Sequence, residues 1–264
     1  MNIPFYQVDA FTDKPFKGNP AAVCIVDDTA TTALMQQVAA ENNLSETAFV
    51  YRQGAQFNLR WFTPTVEVPL CGHATLATAH TLWEQGLVPA ADTITFSTQS
   101  GLLTAQQQDG WIALNFPALT GQPVQLPQEL QDILQVKPVN TVEVFNRYLV
   151  EVATAAEVHA VAPDFSRLAK YPKVIVTARA DAGSEYDFIS RFFAPCIGIN
   201  EDPVTGAAHC CLTPYWAARL GKTAMLAYQA SARGGVLKVR LEGDRTVLGG
   251  QAVTVISGTY FINQ

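Results

Sequence analysis

The sequence predicts an α+β fold in which strands outnumber helices. Short runs rich in Val, Ile, Phe and Tyr are bounded by Gly, Pro, Asn and Asp, a pattern typical of strands. Few segments show helical periodicity, and they do not alternate regularly with the strands. The pattern therefore favours an α+β arrangement over a parallel, doubly wound sheet.

The predicted elements follow from these runs in chain order. The predicted strands are Tyr6–Phe11, Ala21–Val26, Thr47–Tyr51, Phe57–Phe62, Thr93–Ser97, Trp111–Phe116, Val142–Val152, Lys173–Thr177, Asp187–Phe193, Val236–Leu241 and Ala252–Ile256. The predicted helices are Thr31–Glu41, Gly72–Gln85, Gln128–Leu134 and Gly206–Leu220. Gly221 follows the last helix directly, and a glycine in that place is typical of a C-terminal cap.

A short motif occurs twice, about half the chain length apart. Arg60–Pro64 (RWFTP) recurs as Arg191–Pro195 (RFFAP). A loop follows each copy, and then a glycine, Gly72 or Gly206, opens an apolar helix that carries a tryptophan. An echo at the half-length with a matching helix behind it indicates duplication rather than coincidence.

The duplication predicts two related halves, residues 1–120 and 121–264. We expect the helices that begin at Gly72 and Gly206 to occupy equivalent places, with their N-termini facing each other across the join. A helix N-terminus offers unpaired N–H groups and a partial positive charge, so it attracts carboxylate. The sequence therefore predicts a small carboxylate-bearing molecule as the substrate.

Composition excludes several classes of partner. The net charge is −6 and the isoelectric point about 5.2, with no cluster of Lys and Arg, which argues against nucleic acid or acidic lipid. The N-terminus lacks the pattern of a signal peptide, and no apolar run is long enough to span a membrane. We expect a cytoplasmic protein without a membrane partner. Its odd set of five cysteines is expected to remain as reduced thiols.

Three residues are candidates for proton chemistry. Glu46 lies between a polar turn and an apolar strand, where partial burial would raise the pKa of its carboxyl toward the range of a general base. His73 lies in the first turn of its helix, where the helix-end charge favours a neutral imidazole that can relay a proton. Asp202 occupies the equivalent place in the second half. The alternatives are a surface glutamate, a packing or capping histidine and an acid at a helix start.

Metal and nucleotide motifs are missing from the sequence. Neither Cys71-x-His73 nor the run His209–Cys211 has the spacing of a common zinc site. Gly221-Lys222-Thr223 ends like a phosphate-binding loop, but Trp216 stands where that loop needs glycine. The sequence also has no GxSxG motif of a serine hydrolase. We therefore expect no metal and no cofactor.

Six ordered motifs resemble those of the PhzF-like phenazine-biosynthesis isomerases and their uncharacterised bacterial relatives. The motifs are Val8–Phe11, Gly18–Val23, Ser45–Phe49, Phe62–Pro64, Cys71–Thr75 and Glu201–His209. The resemblance spans nearly the whole chain. It implies a diaminopimelate epimerase-like fold of two pseudo-symmetric halves, in which a sheet or barrel wraps around a central helix (residues 72–85 and 206–220) and the active site lies between the halves. It also implies a homodimer.

The resemblance also implies site residues. In that family one glutamate shuttles a proton, assisted by a histidine and an aspartate, and these fall on Glu46, His73 and Asp202. Substrate-binding positions are expected to include Gly72 and Gly206, whose helix-end amides would hold the carboxylate. The further substrate-binding candidates are Asn19, Ser45 and Thr205.

The cysteines depart from a related pattern. Epimerases of this fold use two cysteines as opposed acid and base, one in each half. Cys71 matches the first position, but the second falls near Pro203, which has no proton to exchange. Cys210 and Cys211 lie inside the second helix and are expected to be small buried side chains. A two-thiol racemase is therefore disfavoured.

The sequence thus predicts a cofactor-independent isomerase in which Glu46 moves a proton within a small carboxylate-bearing substrate. One alternative is an epimerase that uses Cys71 with a non-thiol partner. Another is a non-catalytic protein that binds a small acid.

Overall fold

The computed structural model describes residues 2–262 and divides the chain into two compact units. The first unit includes the residues up to Asn115 and those from Gly249 onward, and the second is Phe116–Leu248. The expected boundary at residue 120 lies close to the start of the second unit. The C-terminal segment, expected in the second half, instead belongs to the first unit.

The strands are β1 (Asn2–Ala10), β2 (Asn19–Ile25), β3 (Thr47–Gln53), β4 (Gln56–Phe62), β5 (Glu67–Val68), β6 (Ile94–Thr98), β7 (Gly101–Gln108), β8 (Trp111–Pro117), β9 (Gln122–Pro123), β10 (Asn140–Val144), β11 (Arg147–Glu151), β12 (Lys173–Arg179), β13 (Phe188–Ala194), β14 (Ile199–Asp202), β15 (Ala224–Gln229), β16 (Gly235–Glu242), β17 (Arg245–Gly250) and β18 (Ala252–Phe261). The helices are α1 (Thr32–Asn42), α2 (Gly72–Glu84), α3 (Gln128–Leu134), α4 (Ala155–Ala160), α5 (Phe165–Leu168) and α6 (Gly206–Leu220).

The first unit is built around α2. Strand β1 pairs antiparallel with both β2 and β18, which explains why the C-terminal segment joins this unit. Strand β2 runs parallel to β3, β3 is antiparallel to β4, and β4 pairs with β5 and, in parallel, with β6. Strands β7 and β8 extend the sheet in antiparallel order. Helix α2 packs against β1, β2, β3 and β18 and is buried along most of its length, as expected for a central helix.

The second unit repeats this strand order. Strands β10 and β11 are antiparallel, β11 runs parallel to β12, β12 is antiparallel to β13, and β13 pairs with β14 and, in parallel, with β15. Strand β16 continues the antiparallel order, and α6 packs against β15 and β16. Trp216 of α6 stacks on Phe188 and donates a hydrogen bond to Thr177. Gly221 ends α6 in the left-handed conformation with φ 66°, which confirms the predicted cap.

The duplicated arginine motif forms the same structure in both units. Arg60 donates from Nε and Nη2 to the carboxylate of Glu67 over 2.7 and 2.8 Å, and Arg191 binds Glu201 over the same two distances. Each guanidinium also lies over the ring of the phenylalanine two positions later, at 5.2 and 4.9 Å from the centroid. The repeat predicted from sequence is therefore a repeat of structure.

One predicted strand is wrong in outline. The segment Val142–Val152 is a hairpin of β10 and β11, because the chain turns at Phe145 with φ 52°. All five cysteines are free. Within residues 2–262, no helix combines the length and apolar character needed to cross a membrane.

Candidate active site

The first unit places Glu46 directly before β3, at the end where β3 meets β2. The backbone carbonyl of Glu46 accepts a hydrogen bond from Ala22 N at 3.2 Å, which holds this residue in the parallel strand pair. Its side chain is 16% exposed, so most of the carboxyl is out of water. This burial raises the pKa of the Glu46 carboxyl, and hydrogen bonds from Ser45 and Cys71 oppose the rise. The expected partial burial of Glu46 is therefore observed.

His73 faces Glu46 from the first turn of α2. Its Nε2 lies 3.3 Å from Glu46 Oε2 and 3.5 Å from Ser45 Oγ. Its Nδ1 lies 3.5 Å from Cys71 Sγ. One ring nitrogen therefore faces the carboxylate and the other faces the thiol, and the thiol also hydrogen bonds to the Glu46 carboxyl. This cluster suits the passage of a proton through hydrogen bonds.

Local structure aims the Cys71 side chain at this group. Cys71 is the N-cap of α2, and its extended backbone (φ −144°, ψ 112°) turns the chain into the helix. Its carbonyl accepts from both the backbone N–H and the hydroxyl of Thr75, at 3.1 and 2.6 Å. Its thiol makes no cap hydrogen bond to the helix backbone. The first-turn N–H groups of α2 are therefore left to other acceptors.

Glu46, Cys71 and His73 also form a group of potential metal ligands, with ligand atoms within 4.8 Å of one another. The sequence argument against a zinc site used only the spacing of Cys71 and His73, because Glu46 comes from a distant segment. The 3.3 Å contact of His73 with Glu46 and its 3.5 Å contact with Cys71 are hydrogen-bond distances, which suit proton relay.

The second unit gathers Asp202, Thr205 and Gly206 at the start of α6. Thr205 is the N-cap, and its hydroxyl donates to Asp202 Oδ2 over 2.5 Å. The fully buried Gln229 donates to Asp202 O at 2.8 Å and to the Thr205 hydroxyl at 3.1 Å, and it accepts from Thr205 N at 2.9 Å. The Thr205 hydroxyl and N–H are therefore both occupied within the protein.

Two residues of this second group were missed from sequence as functional candidates. Gln229 ends β15 in a stretch with no motif, so no sequence signal points to it. His209 is fully buried in α6, and its Nδ1 lies 2.9 Å from Thr205 O. Burial lowers the pKa of His209 to about 4, so the ring is neutral at physiological pH. Both residues fix the N-cap of α6.

The remaining predicted binding residues are placed as follows. Asn19 is wholly buried at the start of β2, opposite Ala10 of β1. Gly72 is the first residue of α2 and is partly exposed, whereas Gly206, the first residue of α6, is buried. The structure thus brings Ser45 and Gly72 together with the proton-transfer candidates of the first unit.

Comparison with known proteins gives a consistent assignment. The family model described as phenazine biosynthesis-like protein, PhzC-PhzF, matches residues 8–258. A protein of Halalkalibacterium halodurans named as an uncharacterized isomerase is 51% identical over 261 residues, which cover 97% of each chain. The crystal structure of a PhzF-family phenazine biosynthesis protein from Enterococcus faecalis matches with a TM-score of 0.94 and 40% identity, covering 99% of this chain and 100% of that one.

A more distant structure shows the shared fold alone. The hydroxyproline epimerase from Agrobacterium vitis matches with a TM-score of 0.61 at 11% identity, covering 98% of this chain and 92% of that one. The expected epimerase-like α+β fold is therefore confirmed. With a family model over nearly its whole length and a half-identical relative named an isomerase, the chain belongs to the PhzC-PhzF, phenazine biosynthesis-like family and is an isomerase.

Proposed function

We propose that the protein is a cofactor-independent isomerase that moves a proton within a small carboxylate-bearing molecule, with Glu46 as the acid and base. The observation that carries the proposal is the buried Glu46 carboxyl 3.3 Å from His73 Nε2. Burial weakens the hydration of the carboxylate and makes it a stronger base, which suits proton removal from carbon. We expect such a carboxylate to act as a general base near neutral pH.

The proposed step needs no other reactant. Glu46, as carboxylate, takes a proton from a carbon next to a carboxyl or unsaturated group and becomes a carboxylic acid. The electron pair of the broken C–H bond moves into the substrate, and the same proton returns to a different carbon. Developing negative charge would be stabilised by the N–H groups at the start of α2. His73 would orient Glu46 or relay the proton.

The second group supports a binding role in the proposal. The Thr205 hydroxyl donates to Asp202 Oδ2, which fixes the position of this carboxyl. We propose that Asp202 binds a polar group of the substrate and that the N-terminus of α6 at Gly206 favours a carboxylate. Thr205 would act by positioning Asp202. The substrate-binding role of Asn19, the homodimer and the cytoplasmic location remain predictions.

Glu46→Gln tests the proposal because it keeps the shape but removes the base. Small carboxylic acids are incubated with the protein in D₂O, and loss of carbon-bound proton signals is followed by NMR. For an acid that the native protein exchanges, we expect the Gln variant to be at least about 100-fold slower, with binding retained. Glu41→Gln, a matched change at an exposed glutamate of α1, should leave the rate unchanged. Equal rates for Glu46→Gln and the native protein would refute the role.

An epimerase that uses Cys71 is the second candidate, favoured by the 3.5 Å approach of its thiol to His73 Nδ1. Cys71→Ala separates the two candidates in the same exchange experiment. We expect a rate loss of less than about tenfold if Cys71 only supports His73, and a loss of at least about 100-fold if its thiol exchanges the proton. A protein that only binds acids would give no exchange in any variant.

A further inference from the structure

The position that holds Glu46 in the first unit has a counterpart in the second. In the first unit, the arginine of the duplicated motif pairs with Phe49 of β3, and in the second it pairs with Val176 of β12. Three residues before these two positions lie Glu46, directly before β3, and Lys173, the first residue of β12. The two residues are therefore equivalent in the repeat, and an acidic residue in one unit corresponds to a cationic residue in the other.

A second cation stands beside this lysine. Arg147 of β11 is the register partner of Lys173 in the parallel pair of β11 and β12. Register partners on adjacent strands project from the same face of a sheet. Both side chains are partly buried, and neither forms an ion pair with a carboxylate anywhere in residues 2–262. Two neighbouring positive charges are therefore left without a counterion from the protein.

The hydrogen bonds of these two cations are also incomplete. Arg147 donates from Nη1 to Ala207 O at 2.9 Å, which anchors the guanidinium beside the first turn of α6. Its Nε is buried and finds no acceptor among the described residues. The ammonium of Lys173 makes no hydrogen bond within that same part of the chain. Several N–H donors of the two cations are therefore unused by the described residues, and they can serve an acceptor from outside the protein.

The electrostatics agree with this geometry. Burial, and then repulsion from Arg147, lowers the pKa of the Lys173 ammonium, while Cys196 opposes the shift. Among residues 2–262, no carboxylate contributes to the shift of this pKa. An anion bound between the two cations would relieve the repulsion and supply the missing acceptor.

We propose that Arg147 and Lys173 form an oxyanion-binding site in the second unit, for the carboxylate or phosphate group of a small molecule. A guanidinium and an ammonium side by side provide the donors that such groups accept from. The site does not depend on the role of Glu46. It gives the second unit a binding function of its own at the position where the first unit carries its buried acid.

Isothermal titration of the protein with inorganic phosphate, and separately with succinate, tests the site. We expect saturable binding of at least one anion and weakening of about tenfold or more in Lys173→Met. Lys137→Met, at an exposed lysine of the same unit, is the matched control and should bind as the native protein does. Binding of phosphate alone indicates a phosphate ligand, and binding of succinate indicates a carboxylate.

A crystal soaked in the binding anion gives the second measurement. Density within hydrogen-bond distance of Lys173 Nζ and the Arg147 guanidinium supports the site. Absence of binding by both anions, equal affinity in Lys173→Met, or density elsewhere would overturn it. This site is tested by anion affinity in Lys173→Met and the isomerase step by exchange in D₂O in Glu46→Gln, so their failures give different results.

Discussion

The two units share a strand order and an arginine–glutamate pair, yet they differ in the charges they carry at equivalent positions. In the first unit, Glu46 lies against His73, and the thiol of Cys71, the N-cap of α2, lies 3.5 Å from His73 Nδ1. In the second, Lys173 stands at the position of the acid, and the N-cap of α6 is tied to Asp202. The comparison teaches that the scaffold was kept after duplication while the side chains at its strand ends and helix starts diverged.

The largest expected effect on stability concerns the arginine–glutamate pair that occurs in each unit, Arg60–Glu67 and Arg191–Glu201. Arg191 also donates to the backbone carbonyls of Val158, His159 and Val161, whereas the further partner of Arg60 is a threonine hydroxyl. Removal of either arginine leaves a partly buried glutamate unpaired. We expect Arg191→Met to lower the free energy of unfolding by about 3 kcal/mol and Arg60→Met by about 1–2 kcal/mol.

Urea unfolding followed by circular dichroism measures both values. Arg167→Met, at an exposed arginine, serves as the control and should change stability by less than about 0.5 kcal/mol. Equal losses for the two buried substitutions would show that the extra carbonyl contacts of Arg191 contribute nothing, and the units would then be alike in this respect.

The N-caps should differ by a smaller amount. Thr205→Val removes the hydroxyl that binds Asp202 and accepts from Gln229, so we expect a loss of about 1–3 kcal/mol. Cys71→Ala removes a thiol that makes no cap bond, and its loss should be about 1 kcal/mol or less. The same unfolding experiment compares them. A larger loss of stability in Cys71→Ala than in Thr205→Val would contradict the expectation that the Thr205 hydroxyl contributes more than the Cys71 thiol.

The smallest effect is a change with pH. A carboxyl whose pKa is raised in the folded state binds more protons there than in the unfolded chain. Its contribution to stability therefore falls as pH rises above its pKa in the unfolded chain. Glu46→Gln should therefore match the native protein at low pH and become relatively more stable as pH increases, by about 1.4 kcal/mol for each unit of pKa elevation. Thermal unfolding from pH 4 to 8 measures the difference. A constant difference would contradict the burial penalty on Glu46.

Local signals in the sequence predicted much of this structure. The bounds of α3 and α6 were predicted as observed, because periodicity and the glycine cap are local features. Strand β7 was missed because its glutamine-rich sequence is mostly exposed and carries little strand signal. The sequence predicts one strand where β10 and β11 form a hairpin, because the turn at Phe145-Asn146 contains neither glycine nor proline.

The candidate site was predictable to a lesser extent. Glu46 and His73 were identified through motifs, and their contact joins segments that sequence spacing alone cannot relate. Gln229 was invisible because its role depends on which buried groups the fold brings to it. The sequence predicts Lys173 only as the first residue of a strand, since its equivalence to Glu46 depends on strand register.

The pairing of β18 with β1 has a consequence for biosynthesis. A chain emerging from the ribosome presents residues 116–248 as one continuous stretch, and that stretch becomes available before β18 is synthesised. The edge of β1 that binds β18 must wait for Ala252–Phe261, which are translated after the whole second unit. The middle of the chain can therefore complete its fold before the beginning does.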